Sequence, residues 1–409
     1  MIYLSLLLLA FLSFAQDAAS RPSCTPKQDA VVVGKAIYLL TNDQANGVVA
    51  IPIGADGTLS QGAVTETGGC GSVALNSDNQ PATPDALVGQ SALTLVGDHI
   101  FAVNAGSNTL SMLAISASDP TQLALVGEPV AIPGEFPNTV AASVKNNLVC
   151  VGTTGAQAGI SCSNFSENGL GPMDKLRPFE LNQTTPPVGP TNTVSQTFFS
   201  ADESLLLTTV KGDPSTNKTG FLSAFAVEQV QAADGATVMT LAGVDTRSTP
   251  EGTAVLFGSQ VIPGGTSNIF VTDAAFGAAI LSVDPATNEA TTIAKVEVDG
   301  QVATCWVAIS PATGTAFVTD VGLNRLVEIN IQDASILSEL DLSPNGDPGL
   351  IDLRAAGNFV YALSPGNGTT EAAVTVIDVS GGSGSAKMIQ HFGLNCLAGQ
   401  NAQGMAVLV

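Results

Sequence analysis

Charge is scarce in this chain. Only 12% of its 409 residues are Asp, Glu, Lys or Arg, about half the share in an average soluble protein. Disorder needs high charge and few apolar side chains, and a coiled coil needs a chain dominated by Ala, Glu, Lys, Leu and Arg, so both are excluded. Cations are scarcer still: 13 Lys and Arg face 35 Asp and Glu, a formal net charge of −22. Such a surface repels phosphate backbones and anionic lipid, which argues against nucleic-acid and membrane-surface roles. Aromatic residues make up 5%, with one tryptophan and two histidines. After the opening segment no apolar run approaches the ~20 residues that span a bilayer, so no membrane insertion is expected. No CxxC pair is present, which leaves a zinc site without its usual spacing. GxSxG, HExxH, P-loop and GxGxxG motifs are likewise missing.

What is abundant is glycine (42) and proline (22), with 45% hydrophobic residues in short runs. Apolar runs punctuated by Gly, Pro, Asn, Asp, Ser and Thr read as an all-β protein. The opening MIYLSLLLLAFLSFA reads as a signal peptide over 1–15, with a second small-x-small cleavage position at 18–20. Residues 16–34 are then an N-terminal arm and 35–409 one domain. Four sequons (Asn164, Asn182, Asn217 and Asn367) agree with export to a secreted, extracellular or cell-wall location. The six cysteines follow the presumed leader, and in an oxidising compartment they are expected to form disulfides.

A unit recurs seven times, starting at Ile37, Ile100, Leu148, Leu205, Ile269, Ala316 and Phe359. Each copy is a short apolar strand, a turn with Asp, Asn or Gly, and a longer strand. Copies two to seven follow another apolar strand (SALTLV, TVAASV, TVSQTFF, GTAVLFG, VATCWVAI, GLIDLRA), and a further strand comes after each copy. Four strands per unit, repeated at a mean spacing of about 54 residues, predict a seven-bladed β-propeller. Copy one lacks its preceding strand, and GMAVLV at 404–409 is unassigned. The C-terminal strand is therefore expected to become the innermost strand of blade 1, closing the ring without an open edge.

With strands a to d running from the axis outward, the b–c and d–a loops share one face. The long loops, 68–90, 177–192, 211–218, 343–348 and 364–371, fall mostly there, so that face and the channel mouth are the expected site. Cys150 and Cys162 are symmetric about residue 156 in one hairpin, which pairs them. Cys70 and Cys396 both flank blade 1 and form the next pair, leaving Cys24 with Cys305.

The chain resembles the fungal secreted proteins labelled 3-carboxymuconate cyclase, of the lactonase-type seven-bladed propeller family. The resemblance spans nearly the whole chain after the leader and is carried by VNAGSNTLSM at 103–112, GEFP at 134–137, LNQTTPP at 181–187 and ALSPGNG at 362–368. These are loop and turn motifs. The resemblance implies cycloisomerisation of a carboxylated muconate to a lactone, or lactone hydrolysis, and it also covers surface antigens and adhesins. A cyclase is expected to gather Arg, His and Glu at the channel. Here His99 and His391 map away from the mouth, and no family catalytic residue has a match.

The candidates are therefore read from position. Lys211 and Arg177 are placed to clamp a carboxylate, against a plain reading as loop ion pairs; Arg247 and Arg325 are the other cations near the face. Glu135 in the GEFP turn is a candidate base, or a further ligand in a ring of Ca²⁺-binding carboxylates. Asp43, Asp273 and Asp320 each end a strand b; turn-capping is the usual job there, and a ring of Ca²⁺ ligands is the alternative, the one ion the pattern would serve. Trp306 reads as a packing residue. The expected function is an extracellular or cell-wall glycoprotein, monomeric, binding a protein, glycan or small molecule through its loop face in the manner of an adhesin or antigen. The alternative is a carboxymuconate cyclase or lactonase.

Overall fold

In the computed structural model, residues 33–231, 235–264 and 267–409 are described. The expected signal peptide, most of the arm and Cys24 lie outside them. The rest forms seven antiparallel sheets. The second and third strands of each blade come from the repeated unit, for example Leu148–Thr153 and Gly159–Ser166 in blade 3, or Thr315–Asp320 and Arg325–Asn330 in blade 6. Inner strands are Leu93–Val96, Pro137–Ser143, Val194–Phe199, Leu256–Val261, Thr304–Ile309 and Leu353–Ala356 for blades 2 to 7. Each touches the inner strands of both neighbouring blades, so the seven close into a ring. The C-terminal strand Gln403–Leu408 is the inner strand of blade 1, antiparallel to Ala36–Leu40, with Ala36 opposite Leu408. The closure is as the repeat arithmetic expects.

Burial explains the shape of the sequence pattern. Blades stack face on face, so the inner and second strands are covered on both sides: Thr304–Ile309, innermost in blade 6, and Leu148–Thr153, second in blade 3, are buried at every position. They read as continuous apolar runs rather than as alternating ones. Outer strands have one wet side, and Ile336–Asp341 and Ala290–Glu297 alternate accordingly. Each large apolar side chain taken out of water contributes about 1.5–3 kcal/mol, and the inner and middle strands supply most of them.

Five inner strands break register near their channel-mouth end. The pairing slips at Asn138 in blade 3, at Ser195 in blade 4, at Phe257–Gly258 in blade 5, at Cys305–Trp306 in blade 6 and at Gly404 in blade 1. A bulge re-aims side chains and bends the strand, and here it does so at one level of the ring. Gly404 takes φ +72 at its bulge, and a Cβ there would lie 3.0 Å from that of Ala92. No helix among the described residues is long and apolar enough to cross a membrane.

Cys150 and Cys162 are directly opposite in the hairpin register and form a disulfide, Cα to Cα 4.1 Å. Cys70 and Cys396 are free and exposed, which corrects their expected pairing. Cys70 is pinned to the blade 2 turn, its carbonyl accepting from Gly106 N (2.8 Å) and its N–H donating to Ser107 Oγ (3.0 Å). Cys396 sits in the 3-10 turn Asn395–Leu397 that leads from blade 7 into the closing strand. Two such separately anchored loops do not bring the sulfurs together. Cys305 is a buried thiol, and its expected partner lies outside the described residues.

Candidate functional site

The loop from blade 1 to blade 2 turns inward instead of passing over the rim. Its residues 86–91 are buried, and they fill the channel below the mouth. Their polar groups bond to blade after blade. Leu87 O accepts from Asn138 Nδ2 of blade 3, Val88 O from Lys211 Nζ of blade 4, and Gly89 O from Gln403 Nε2 of blade 1 (3.2, 2.6 and 3.1 Å). Gln90 donates from its backbone to Ser195 O (2.9 Å), and its side chain pairs with the backbone of Val307 in blade 6 (3.0 and 3.3 Å). Ser91 Oγ accepts from Gln196 of blade 4 and from Arg354 of blade 7 (3.1 and 3.2 Å). The bulges make room for this plug: a Cβ on Gly258 would fall 2.3 Å from Gln90 Oε1.

Above the plug is a cavity of about 220 Å³. Its floor and sides are Val88, Phe257 and Trp306, and its ionisable lining groups are Asp85, Lys211 and the Cys305 thiol. Lys211 follows strand b of blade 4 and is 2% exposed; its ammonium lies 4.3 Å from the centre of the Phe257 ring and also reaches Ser195 Oγ (3.3 Å). Asp85 is half-buried at the base of the loop, with Gln403 Nε2 donating to Oδ1 (2.9 Å). Asp85 and Lys211 interact through the field, not through a direct hydrogen bond. Burial pushes the Asp85 carboxyl up to about 6, the attraction of Lys211 opposing it. Burial also pulls the Lys211 ammonium down to about 8, with Asp85 opposing that shift. A carboxylate and an ammonium moved toward each other in a cleft mark a site suited to proton transfer near neutral pH. Among the described residues that line the cavity, the Trp306 indole N–H is the one buried polar atom without a partner.

The other sequence candidates lie elsewhere. Arg177 is in a two-residue strand on the outer side of blade 3, bonded to Asp174 (2.9 Å) and to the carbonyls of Leu241 and Ala242 (2.8 Å each). Glu135 sits on blade 3 and takes the Thr185 hydroxyl, which ties down the neighbouring loop. Arg247 is bound to Asp245, and Arg325 to Asp320 and Glu339. His99 lies between Asp98 and Glu167, and His391 against Asp347.

The three strand-end aspartates do not form a common cluster. Asp273 accepts from the backbone of Ala254 (2.7 Å), Val255 (3.0 Å) and Ala275 (3.0 Å). Asp320 accepts from Val302 and Ala303 (3.0 Å each) and from Arg325. Asp43 accepts from Asn401 (3.2 Å). With backbone N–H groups on the carboxylates of Asp273 and Asp320, the set does not fit a calcium ion, which takes six to eight oxygens. Asp273 and Asp320 instead hold Val255 and Ala303, two walls of the cavity, in place.

One further buried carboxylate lies in the ring. Burial pushes Asp352 up to about 6 despite its contact with Arg354 (2.7 Å). A carboxyl raised by the fold stabilises it fully below the ordinary carboxylate value, and that contribution is lost as pH rises through about 6. Capped surface carboxylates such as Asp202 and Asp213, lowered by Ser and Thr hydroxyls, act oppositely and lose their contribution as pH falls below about 4. The thermal midpoint is therefore expected to climb between pH 8 and 5 and drop below pH 4. Differential scanning calorimetry over that range checks it; a midpoint that climbs steadily to pH 8 would contradict the assignment.

No family model and no curated protein sequence matches the chain. Its fold is similar to solved structures. Against the periplasmic gluconolactonase PpgL of Pseudomonas aeruginosa the TM-score is 0.61 at 14% identity, covering 91% of this chain and 99% of that one. A putative 6-phosphogluconolactonase from Bacteroides uniformis gives 0.53 at 14% identity, over 71% and 80%. A functionally unknown protein from Desulfotomaculum acetoxidans gives 0.55 at 13%, over 91% and 98%. At such identity the likeness is one of fold.

Proposed function

We propose that this protein is a lactonase-type propeller that hydrolyses a small lactone in the cavity above the channel plug. The observation that carries the reading is the Asp85–Lys211 pair, shifted toward neutrality in a mostly apolar pocket. The names of the solved structures with this fold, gluconolactonase and putative 6-phosphogluconolactonase, point the same way. In the proposed reaction the Asp85 carboxylate takes a proton from water as the oxygen adds to the lactone carbonyl. The Lys211 ammonium steadies the oxyanion. The ring C–O bond then breaks, the leaving alkoxide recovers the proton from Asp85, and a hydroxy acid results.

Cycloisomerisation of a carboxymuconate, which the resemblance names, would use Asp85 as the acid that protonates carbon. Its trianionic substrate would meet a single lining cation in a chain of net charge −22, so the neutral or singly charged lactone is preferred. The adhesin-like reading draws on the loop face as a whole; the concentrated chemistry lies in the cavity within it. Export and glycosylation remain part of the proposal: Asn182, Asn217 and Asn367 are exposed, while the Asn164 amide donates to Met239 O (2.9 Å).

Protein recovered from the medium of a secreting eukaryotic host is the material for the test. Its mass should fall on enzymatic removal of N-glycans, and titrimetric assay should detect acid release from five- and six-membered lactones. The rate should be bell-shaped in pH, rising through about 6 as Asp85 ionises and falling through about 8 as Lys211 loses its proton. Folded protein that releases no acid from any lactone across pH 5 to 9 would refute the hydrolase.

A further inference from the structure

We infer that the substrate is a lactone bearing a hydrophobic substituent, not a sugar lactone, its ring in the cavity and its alkyl chain lying over Val302 and Leu323. This rests on the hydrolase reading above and specifies its substrate class.

The cavity offers little to a polyol. Its polar lining is Asn76, Thr83, Asp85, Lys211 and the Cys305 thiol. Lys211 already donates to Val88 O and Ser195 Oγ, and Asp85 already accepts from Gln403. Each hydroxyl of a sugar lactone buried without a partner carries its full desolvation penalty. The third Lys211 N–H is left for one carbonyl oxygen. The rest of the wall, including Val255, Phe257, Ala274, Ala303 and Val321, is hydrocarbon.

Size argues similarly. A cavity of about 220 Å³ is below the ~300–1,000 Å³ of a site for drug-sized ligands, so one ring fills it and any chain must leave by the mouth. The lip there is apolar. Val302 is 60% exposed and Leu323 40% exposed. Val302 precedes Ala303 and Leu323 is two residues past Val321, and Ala303 and Val321 line the cavity; Val302 packs on Gly322, where a Cβ would lie 2.3 Å from Val302 Cγ1. Lone exposed apolar residues are ordinary; two on one lip, continuous with an apolar cavity, form a track for a chain.

The test is a series of γ-lactones from the unsubstituted ring to an octyl substituent, with glucono-δ-lactone for comparison. Specificity (kcat/KM) should rise about three- to fourfold per methylene until the lip is covered, and glucono-δ-lactone should be at least about tenfold poorer than the best alkyl lactone. The double variant V302S/L323S, which removes the apolar lip without adding charge, should flatten the series, the gain per methylene falling below about twofold. A flat or falling series, or preference for glucono-δ-lactone, overturns the inference. Binding of inert 2-alkylcyclopentanones, read from the fluorescence of the sole tryptophan, separates the two claims. Affinity that grows with chain length but no turnover of any lactone sinks the hydrolase and keeps the apolar site. Turnover without chain-length gain does the reverse, and neither turnover nor binding sinks both.

Discussion

Replacing Lys211 with methionine is expected to lower lactone kcat/KM at pH 7 by about 10²–10³-fold, the usual consequence of losing one preorganised oxyanion donor. Methionine keeps the length of the side chain and sets an apolar thioether end where the ammonium faces the Phe257 ring, so the pocket keeps its shape. Two things change. The developing oxyanion loses its positive partner, and Asp85 loses the charge that opposes its upward shift. Its carboxyl then stays protonated to higher pH, and the rising limb of the residual rate should move up with it. A merely structural lysine would not shift that limb. Stability is set by opposing effects: Val88 O loses its donor (2.6 Å), while a buried charge is removed. The thermal midpoint should therefore move modestly. A K211M protein within a few-fold of wild type, with an unmoved pH profile, would remove Lys211 from the mechanism. D85N tests the base separately and should abolish the rising limb.

Ending the chain before Gln403 is expected to abolish the folded state. The deletion takes the inner strand of blade 1 with its buried Met405 and Ala406. It bares Ala36–Leu40, buried along its whole length, as a raw strand edge. It also frees the plug, because Gln403 holds both Asp85 and Gly89. At about 1.5–3 kcal/mol per large apolar side chain, with an orphaned carbonyl and carboxylate added, the loss rivals the whole 5–15 kcal/mol of a typical domain. Soluble yield and the near-ultraviolet circular dichroism of the truncated chain are the measurements. A soluble truncated protein with a native spectrum would show that the ring does not depend on its closing strand.

The architecture was legible because blade packing writes itself into the chain. Strands covered on both faces must be apolar throughout, and they return at a regular spacing with turn residues between. The same periodicity located the closing strand at 404–409 and placed Lys211 at the mouth end of a strand. It could also set Cys150 opposite Cys162, since a hairpin fixes register. Asp85 was illegible. It lies in a loop with no period, and nothing local says that the chain there dives into the channel rather than crossing the rim. Arg177 misled for a related reason: the outer strand of blade 3 is broken into Gly169–Leu170 and Arg177–Pro178, so a residue assigned to a loop over the mouth is in fact part of the blade's outer edge. The paired Val-Thr-Asp endings did carry a signal, but of backbone capping. The function of Trp306 as a wall of the cavity follows from a bulge, which no pattern of apolar residues announces.

A ring sealed along its axis has one door. Residues 86–91 are buried and bonded to blade after blade across the axis, so on the proposed site whatever enters beside Asp85 and Lys211 leaves by the mouth it came in through. On the proposed hydrolysis, reactant and released hydroxy acid share a common threshold. Product inhibition competitive with substrate is built into such a vestibule, and a longer alkyl chain would make the product slower to depart.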